Sequence, residues 1–162
     1  MRAFLTLAFV AVLSGCGSLF GGSSLTNLEV AGRYEFTEYK LDPVSDAVRD
    51  VDLLGDRLSK DVTLLLREDG TAALQRLRGD RVDATISNGT YRISGDDVTV
   101  RFDNAGALGD FYMPSEVEFE GGDRQLRAEV FREGLDLERI SGDYRGVTRA
   151  DARLRIRLRE IG

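Results

Sequence analysis

The chain has 162 residues, no histidine, no tryptophan, a single cysteine and a formal net charge of −6. The missing histidine removes the commonest metal ligand and the usual general base, and one cysteine forms neither an internal disulfide nor a cysteine-cluster zinc site. We therefore expect no metal and no cofactor, and the negative charge argues against nucleic acid as a partner because its phosphates would be repelled.

The first 16 residues have the layout of an export signal. Arg2 supplies a positive charge, and residues 3–12 form an apolar run of about ten residues, which is too short to cross a hydrocarbon core of about 30 Å as a helix. Leu13-Ser14-Gly15-Cys16 follows, and it resembles the lipobox of bacterial lipoproteins. The resemblance implies lipid transfer to the Cys16 sulfur, cleavage before Cys16 and acylation of the new amino group.

These features predict the location and the domain boundaries. We expect a signal peptide over residues 1–15, a lipidated Cys16 with a flexible tether over 16–28, and one folded domain over 29–162. Several acyl chains would anchor the protein stably in a bilayer. Gly17, rather than Asp, follows the cysteine, which favours the outer membrane over the inner membrane of the cell envelope.

Beyond the tether, short alternating runs and turn dipeptides predict an all-β protein. One stretch breaks the pattern: Asp42-Pro43 suits a helix start, apolar residues recur at helical spacing up to Leu54, and Gly55 suits a helix end. We therefore predict one short helix after the first strand. The clearest strand is the last, in which residues 152–158 alternate apolar side chains with arginines, so that each kind occupies one face.

Two hairpins have turns that the residue pattern defines. A three-residue loop at Glu68-Asp69-Gly70, with the glycine in the left-handed region, keeps the neighbouring apolar residues on one side. A turn within residues 94–97 sets Ile93 opposite Val98. The residues that the first hairpin places on its apolar side are Val62, Leu64, Leu66, Ala72 and Leu74.

Two further glycine-containing sequences predict turns or bulges between strands. A two-residue turn at Gly122-Asp123 would set Phe119 opposite Leu126. Asn88-Gly89 fits either a hairpin turn or a β-bulge inside one strand from about 82 to 94, and we favour the bulge.

Three segments together resemble bacterial lipocalin-like lipoproteins. They are Gly32-Arg33-Tyr34, residues 64–72 and residues 89–100, and they follow the family pattern of Gly-x-Trp, then Leu-x-Leu-x-x-Asp-Gly-Thr, then Gly-x-Tyr-x-Ile-x-Gly-Asp, with Tyr34 in place of the tryptophan. The resemblance implies a single antiparallel meander barrel of about eight to ten strands, able to enclose one small ligand.

Two sets of residues are candidates for function. Aromatic side chains could line a cavity for a small hydrophobic or amphipathic ligand, or they could simply fill the barrel. The arginines of the last strand could bind anionic headgroups or an acidic envelope protein, or they could be solvated and paired with Glu116, Glu118 and Glu120. The candidate cavity walls are Tyr34, Phe36, Tyr91, Phe102, Phe119 and Phe131, and the candidate interaction face is Arg153, Arg155 and Arg157.

We do not expect an enzyme. Turn chemistry accounts for Asp96-Asp97, and neither a Gly-x-Ser-x-Gly elbow nor a phosphate loop is present in the sequence. The leading hypothesis is a membrane-anchored barrel that binds a small apolar ligand. The alternative hypothesis is a filled barrel that acts as a non-enzymatic interaction or assembly module of the envelope.

Overall fold

The structure, a computed structural model, describes residues 24–45 and 48–162. Nine strands dominate it, and the helices are short. The strands are β1 (Gly32–Pro43), β2 (Val51–Asp52), β3 (Val62–Leu66), β4 (Thr71–Arg78), β5 (Arg81–Ser94), β6 (Asp97–Phe102), β7 (Glu116–Gly122), β8 (Gln125–Leu135) and β9 (Ala150–Ile161). The helices are α1 (Asn27–Val30), α2 (Ala105–Gly109), α3 (Leu137–Ile140) and a 3₁₀ turn, Gly142–Tyr144.

The sheet closes on itself. From β3 to β9 each strand pairs antiparallel with the next, and β1 pairs with both β3 and β9. This gives an eight-stranded barrel, to which the two-residue β2 adds on β1. The expected all-β antiparallel meander barrel is therefore confirmed.

Strand β9 shows how the sequence pattern sorts the two faces. Its apolar residues between positions 152 and 158 are at most 1 % exposed and lie in the barrel core, while the alternating arginines lie on the outer wall. Burial of this face in a strand with neighbours on both sides explains the strict period of two. The buried residues are Ala152, Leu154, Ile156 and Leu158.

Two predicted hairpins are confirmed, and so is the long strand. Gly70 has φ +81° in the loop between Leu66 and Ala72, which lie opposite each other. Ile93 lies opposite Val98, as expected. Strand β5 runs unbroken through Asn88-Gly89, but the bulge predicted there is wrong, because the two register shifts in its pairing with β4 fall at Ile86 and Asp83.

The helix predicted to begin at Asp42-Pro43 is corrected. Pro43 is the last residue of β1, where it lies opposite Ala152, and Val51 belongs to a strand. Pairing with the long β9 overrides the local helical pattern. Proline is tolerated here because Val44 donates its N–H to β9, so the missing N–H of Pro43 faces the other side. The short helix α1 lies just before β1 instead.

The turn between β7 and β8 is also corrected. Gly122 lies opposite Gln125, so the turn residues are Asp123 and Arg124, which both have positive φ, at 46° and 61°. A two-residue hairpin turn of type I′ needs positive φ at both of its central residues. The predicted pairing of Phe119 with Leu126 is therefore wrong, because Leu126 lies opposite Gly121.

Helix α1 closes one end of the barrel. Thr26 caps it, with reciprocal hydrogen bonds between Thr26 and Glu29. Leu25 donates its N–H to Gly95 O at 3.1 Å, so residues at the end of the expected tether already contact the barrel. No helix among residues 24–45 and 48–162 is long and apolar enough to cross a membrane.

Candidate functional site

The interior of the barrel is lined by the predicted aromatic residues, with one exception. Tyr34, Phe36, Tyr91, Phe102 and Phe119 are at most 7 % exposed. Phe131 is 53 % exposed and lies on the outer wall, opposite Arg153. Its place as a cavity wall is corrected, because in β8 the inward residues are the even-numbered Leu126, Ala128 and Val130.

The tyrosine hydroxyl groups are already hydrogen-bonded to the backbone. Tyr34 Oη donates to Val30 O at 2.8 Å, Tyr39 Oη to Phe111 O at 2.8 Å and Tyr91 Oη to Arg67 O at 2.7 Å. Burial, with a smaller contribution from the nearby Glu160, raises the pKa of Tyr34 to about 12. These phenols therefore remain neutral donors that tie loops and α1 to the barrel wall.

Leucine, valine and phenylalanine side chains pack between these tyrosines as one contiguous core. Leu64, Leu74, Val100, Val117 and Leu154 are each at most 1 % exposed, and they belong to five different strands. The ring centroids of Phe36 and Tyr39 are 5.8 Å apart in an edge-to-face arrangement. This is the arrangement of a barrel filled by its own side chains.

The arginine stripe of β9 is largely neutralised by acids of β1. Arg155 contacts Asp42 at 2.5 Å, Arg157 contacts Glu38 at 3.1 Å and Arg159 contacts Glu35 at 2.5 Å. The hydrogen bond to Asp42, and its charge, raise the pKa of Arg155. Within the described part of the chain Arg153 has no ion pair.

The carboxylates considered as partners of these arginines lie elsewhere. Glu116, Glu118 and Glu120 belong to β7, whereas β9 is flanked by β1 and β8. The face formed by Arg153, Arg155 and Arg157 thus carries less free positive charge than its sequence suggests. Arg153 alone among the three is without a carboxylate partner in residues 24–45 and 48–162.

The barrel wall opens between β7 and β8, and we call this opening the β7–β8 seam. Strand β7 pairs with β6 at five residue pairs but with β8 at only three. Pairing between β7 and β8 stops at Glu120 and Arg127. From there β8 continues along β9 to Leu135.

Backbone alternation shows which groups face the seam. Gly121 donates its N–H to Asp96 O at 2.8 Å, and Ser115 O accepts from Phe102 N at 2.7 Å, so the odd-numbered residues of β7 face β6. The N–H and C=O groups of Glu116 and Glu118 therefore face the seam. By the same alternation, those of Glu129 and Phe131 face it from β8, since Arg124 O accepts from Glu160 N in the direction of β9.

A groove of about 370 Å³ lies on the outer wall at this seam. Carboxylates line the β6–β7 side, and arginines line the β9 side. The lining residues are Asp97, Glu118, Glu120, Arg127, Ala128, Glu129, Arg155, Ile156 and Arg157.

The free charge in the groove is negative. No ion pair involves Asp97, Glu118, Glu120 or Glu129 in the part of the chain that the structure describes, and all four are exposed. Two of the three arginines are already paired with β1, as given above. The groove thus combines unpaired strand backbone with unneutralised carboxylates, which suits binding of a polar, extended segment rather than an apolar ligand.

The residue pattern indicates the exposed glutamates of β7 but not the seam. The difference arises because a turn that sets Phe119 opposite Leu126 implies continuous pairing of β7 with β8, and the local residue pattern does not show where that pairing ends. The position of Phe131 could have been found from parity, since Leu126, Ala128 and Val130 have the opposite parity in β8.

Cys16 lies outside the described residues, so the lipidation expected there stays a prediction. Among the described residues, no group of three or more carboxylates, histidines or cysteines is placed to hold a metal ion.

Comparison with known proteins adds no functional assignment. No protein-family model matches the chain, and no curated protein matches it. Among solved structures, an uncharacterized protein from Bacteroides eggerthii DSM 20697 is similar at 13 % identity and a TM-score of 0.41, over 77 % of this chain and 98 % of that one.

Proposed function

We propose that this protein is a non-enzymatic interaction module of the cell envelope, tethered through lipid on Cys16, whose filled barrel binds a protein partner through its outer wall. The observation that carries the proposal is the contrast between the two sides of the wall. The interior aromatics are buried and their hydroxyls are bonded, whereas the groove with unneutralised charge is outside.

The competing function is binding of a small apolar ligand inside the barrel. Such a site needs an apolar cavity of a few hundred Å³ with a few polar groups directed into it. Tyr34, Tyr39 and Tyr91 direct their hydroxyls to backbone carbonyls instead. This favours the interaction module over the ligand carrier.

Site-specific photocrosslinking in the producing cell tests the outer-wall function. A photoreactive residue placed at exposed outer positions, such as Glu118 or Arg153, should give discrete adducts with a protein partner. The same residue at the exposed Thr85, on the opposite wall, is the matched control. Absence of adducts at both Glu118 and Arg153, together with a small molecule that co-purifies in native mass spectrometry, would reverse the choice between the two functions.

The membrane tether has an independent test. Replacing Cys16 by Ser removes the thiol that would be alkylated, so the variant should move from the membrane fraction to the soluble fraction. A single acyl chain binds only marginally, and stable anchoring needs more than one. Membrane association that persists in Cys16→Ser would refute the lipid anchor while leaving the outer-wall function open.

A further inference from the structure

We infer that the β7–β8 seam is a strand-addition site for an extended, positively charged peptide segment of a partner protein. The inference rests on the proposed function and deepens it by naming the site and the chemistry of the partner. Three features carry it: unpaired backbone groups, the groove beside them, and the sign of the free charge.

The first feature is the backbone. In a closed barrel each strand normally has its N–H and C=O groups paired on both sides, and closure removes free edges. Here Glu116 and Glu118 of β7, and Glu129 and Phe131 of β8, turn these groups towards the seam, and no strand of the described residues pairs with them across it. An extended segment supplies matching groups by main-chain hydrogen bonds, which is the general mode of β-strand addition.

The second feature is the length and position of the groove. At about 3.3 Å per residue, the unpaired stretch from Glu116 to Glu118 accommodates the start of a strand, and Glu129 to Phe131 provides a comparable length opposite. The groove opens on the outer wall beside both stretches, so a segment can reach them from outside without displacing the core.

The third feature is charge. A strand lying along the open stretch of β7 would place its outward side chains beside Glu118, with Glu120 at the end of the gap and Glu129 across the groove. Opposite charges on neighbouring strands stabilise pairing, and like charges destabilise it. Lysine or arginine at alternate positions is therefore favoured in the bound segment.

The negative charge of the groove also disfavours two simpler occupants. A second copy of this chain, with a net charge of −6, would bring its own acidic β7 edge against the first. The chain's own residues 17–24 contain no lysine or arginine. A basic segment of another protein satisfies the observed charges better than either.

The experiment is a fluorescence-anisotropy titration of the full-length protein in neutral detergent micelles. The probe is a labelled peptide that alternates lysine and valine over its central residues. Two matched peptides serve as controls: one has glutamate in place of every lysine, and one keeps the lysines but is N-methylated on its central residues. The lysine peptide should bind, and each control peptide should bind about tenfold more weakly or not at all.

Variants of the protein locate the site. Glu118→Gln and Glu120→Gln should each weaken binding of the lysine peptide about twofold to fivefold, which is the upper part of the range for exposed charge pairs. Glu118→Pro removes an N–H that faces the seam, which is tolerated at a strand edge, and should weaken binding further. Glu138→Gln, an exposed carboxylate on α3, should leave the affinity unchanged.

Each remaining outcome has a defined meaning. Equal binding of the N-methylated peptide would overturn strand addition, since charge alone would then account for the complex. Equal binding of the glutamate peptide would overturn the predicted partner chemistry. Self-association that is lost in Glu118→Pro would place a second copy in the seam and overturn the inference. Outer-wall crosslinks in cells without peptide binding at the seam would overturn this inference but not the proposed function.

Discussion

Glu120 of β7 lies directly opposite Arg127 of β8, and beyond this pair the two strands separate. The separation leaves backbone groups unpaired along this part of the barrel wall. It also leaves Glu116 and Glu118 of β7 without a paired strand on that side. The seam that follows Glu120 and Arg127 therefore provides unpaired backbone groups and free carboxylates to which a partner strand can bind.

A filled core predicts a large penalty for removing interior side chains. Leu64 is 1 % exposed, and Leu64→Ala should lower the free energy of unfolding by about 2–5 kcal/mol because it leaves a cavity. Leu28, which is 70 % exposed, is the matched control, and Leu28→Ala should change stability by no more than about 0.5 kcal/mol. Urea unfolding followed by circular dichroism measures both. Similar small losses for the two variants would mean that the interior is loosely packed.

Gly89 is required for the close approach of β5 and β6. A Cβ at this position would lie 2.2 Å from the Arg101 carbonyl oxygen, a backbone atom that can move only with its strand. Gly89→Ala should therefore destabilise the barrel by about 1–3 kcal/mol, the usual range for overpacking. Gly109→Ala, where a Cβ meets nothing within 4 Å, should leave the thermal unfolding midpoint unchanged or slightly higher. Equal behaviour of the two variants would contradict the close approach.

The buried phenols predict a steep loss of stability in alkali. Burial, the largest cause, raises the pKa of Tyr34 and of Tyr144 to about 12, so the folded state favours the neutral form. A pKa raised above the unfolded value contributes stability fully below a pH of about 10 and loses it as the pH rises towards about 12. Tyrosinate absorbance and circular dichroism should therefore change together in this window.

Tyrosine-to-phenylalanine variants check the cause of this alkaline transition. Tyr34→Phe removes one group that must ionise, so stability should fall less steeply with pH above 10, although Val30 O loses its hydrogen bond. If these tyrosines instead ionise with the pKa of free tyrosine, at a pH well below that of unfolding, their hydroxyls are accessible in the folded state.

The fold could be predicted from the sequence where one physical cause dominates. The alternation in β9 indicates which side chains are buried, and the glycine at position 70 indicates a left-handed backbone conformation. Both predictions are confirmed. The segment after Asp42 failed because its helical pattern competes with pairing to β9, which is a long-range effect that local spacing does not contain.

The candidate site was less accessible to sequence reasoning. The β7–β8 turn has Asp123 and Arg124 in left-handed conformations, although the preceding glycines are the residues that usually mark such a turn. Gly121 is needed for another reason, since a Cβ there would lie 2.7 Å from Leu25 Cδ1 and 3.1 Å from Asp96 O. The ion pairs of Arg155 and Arg157 with β1 likewise follow from barrel closure, which brings together residues more than 100 positions apart.

Residue-resolved amide hydrogen exchange, measured by NMR on the full-length protein in micelles, tests the seam most directly. The amides of Val117 and Phe119 face β6 and should be protected, whereas that of Glu118, between them, faces the seam and should exchange at least about tenfold faster. The same alternation should appear on β8, with Val130 slow and Glu129 and Phe131 fast. Uniform protection along residues 116–119 and 128–131 would contradict an open seam, and with it the strand-addition site between β7 and β8.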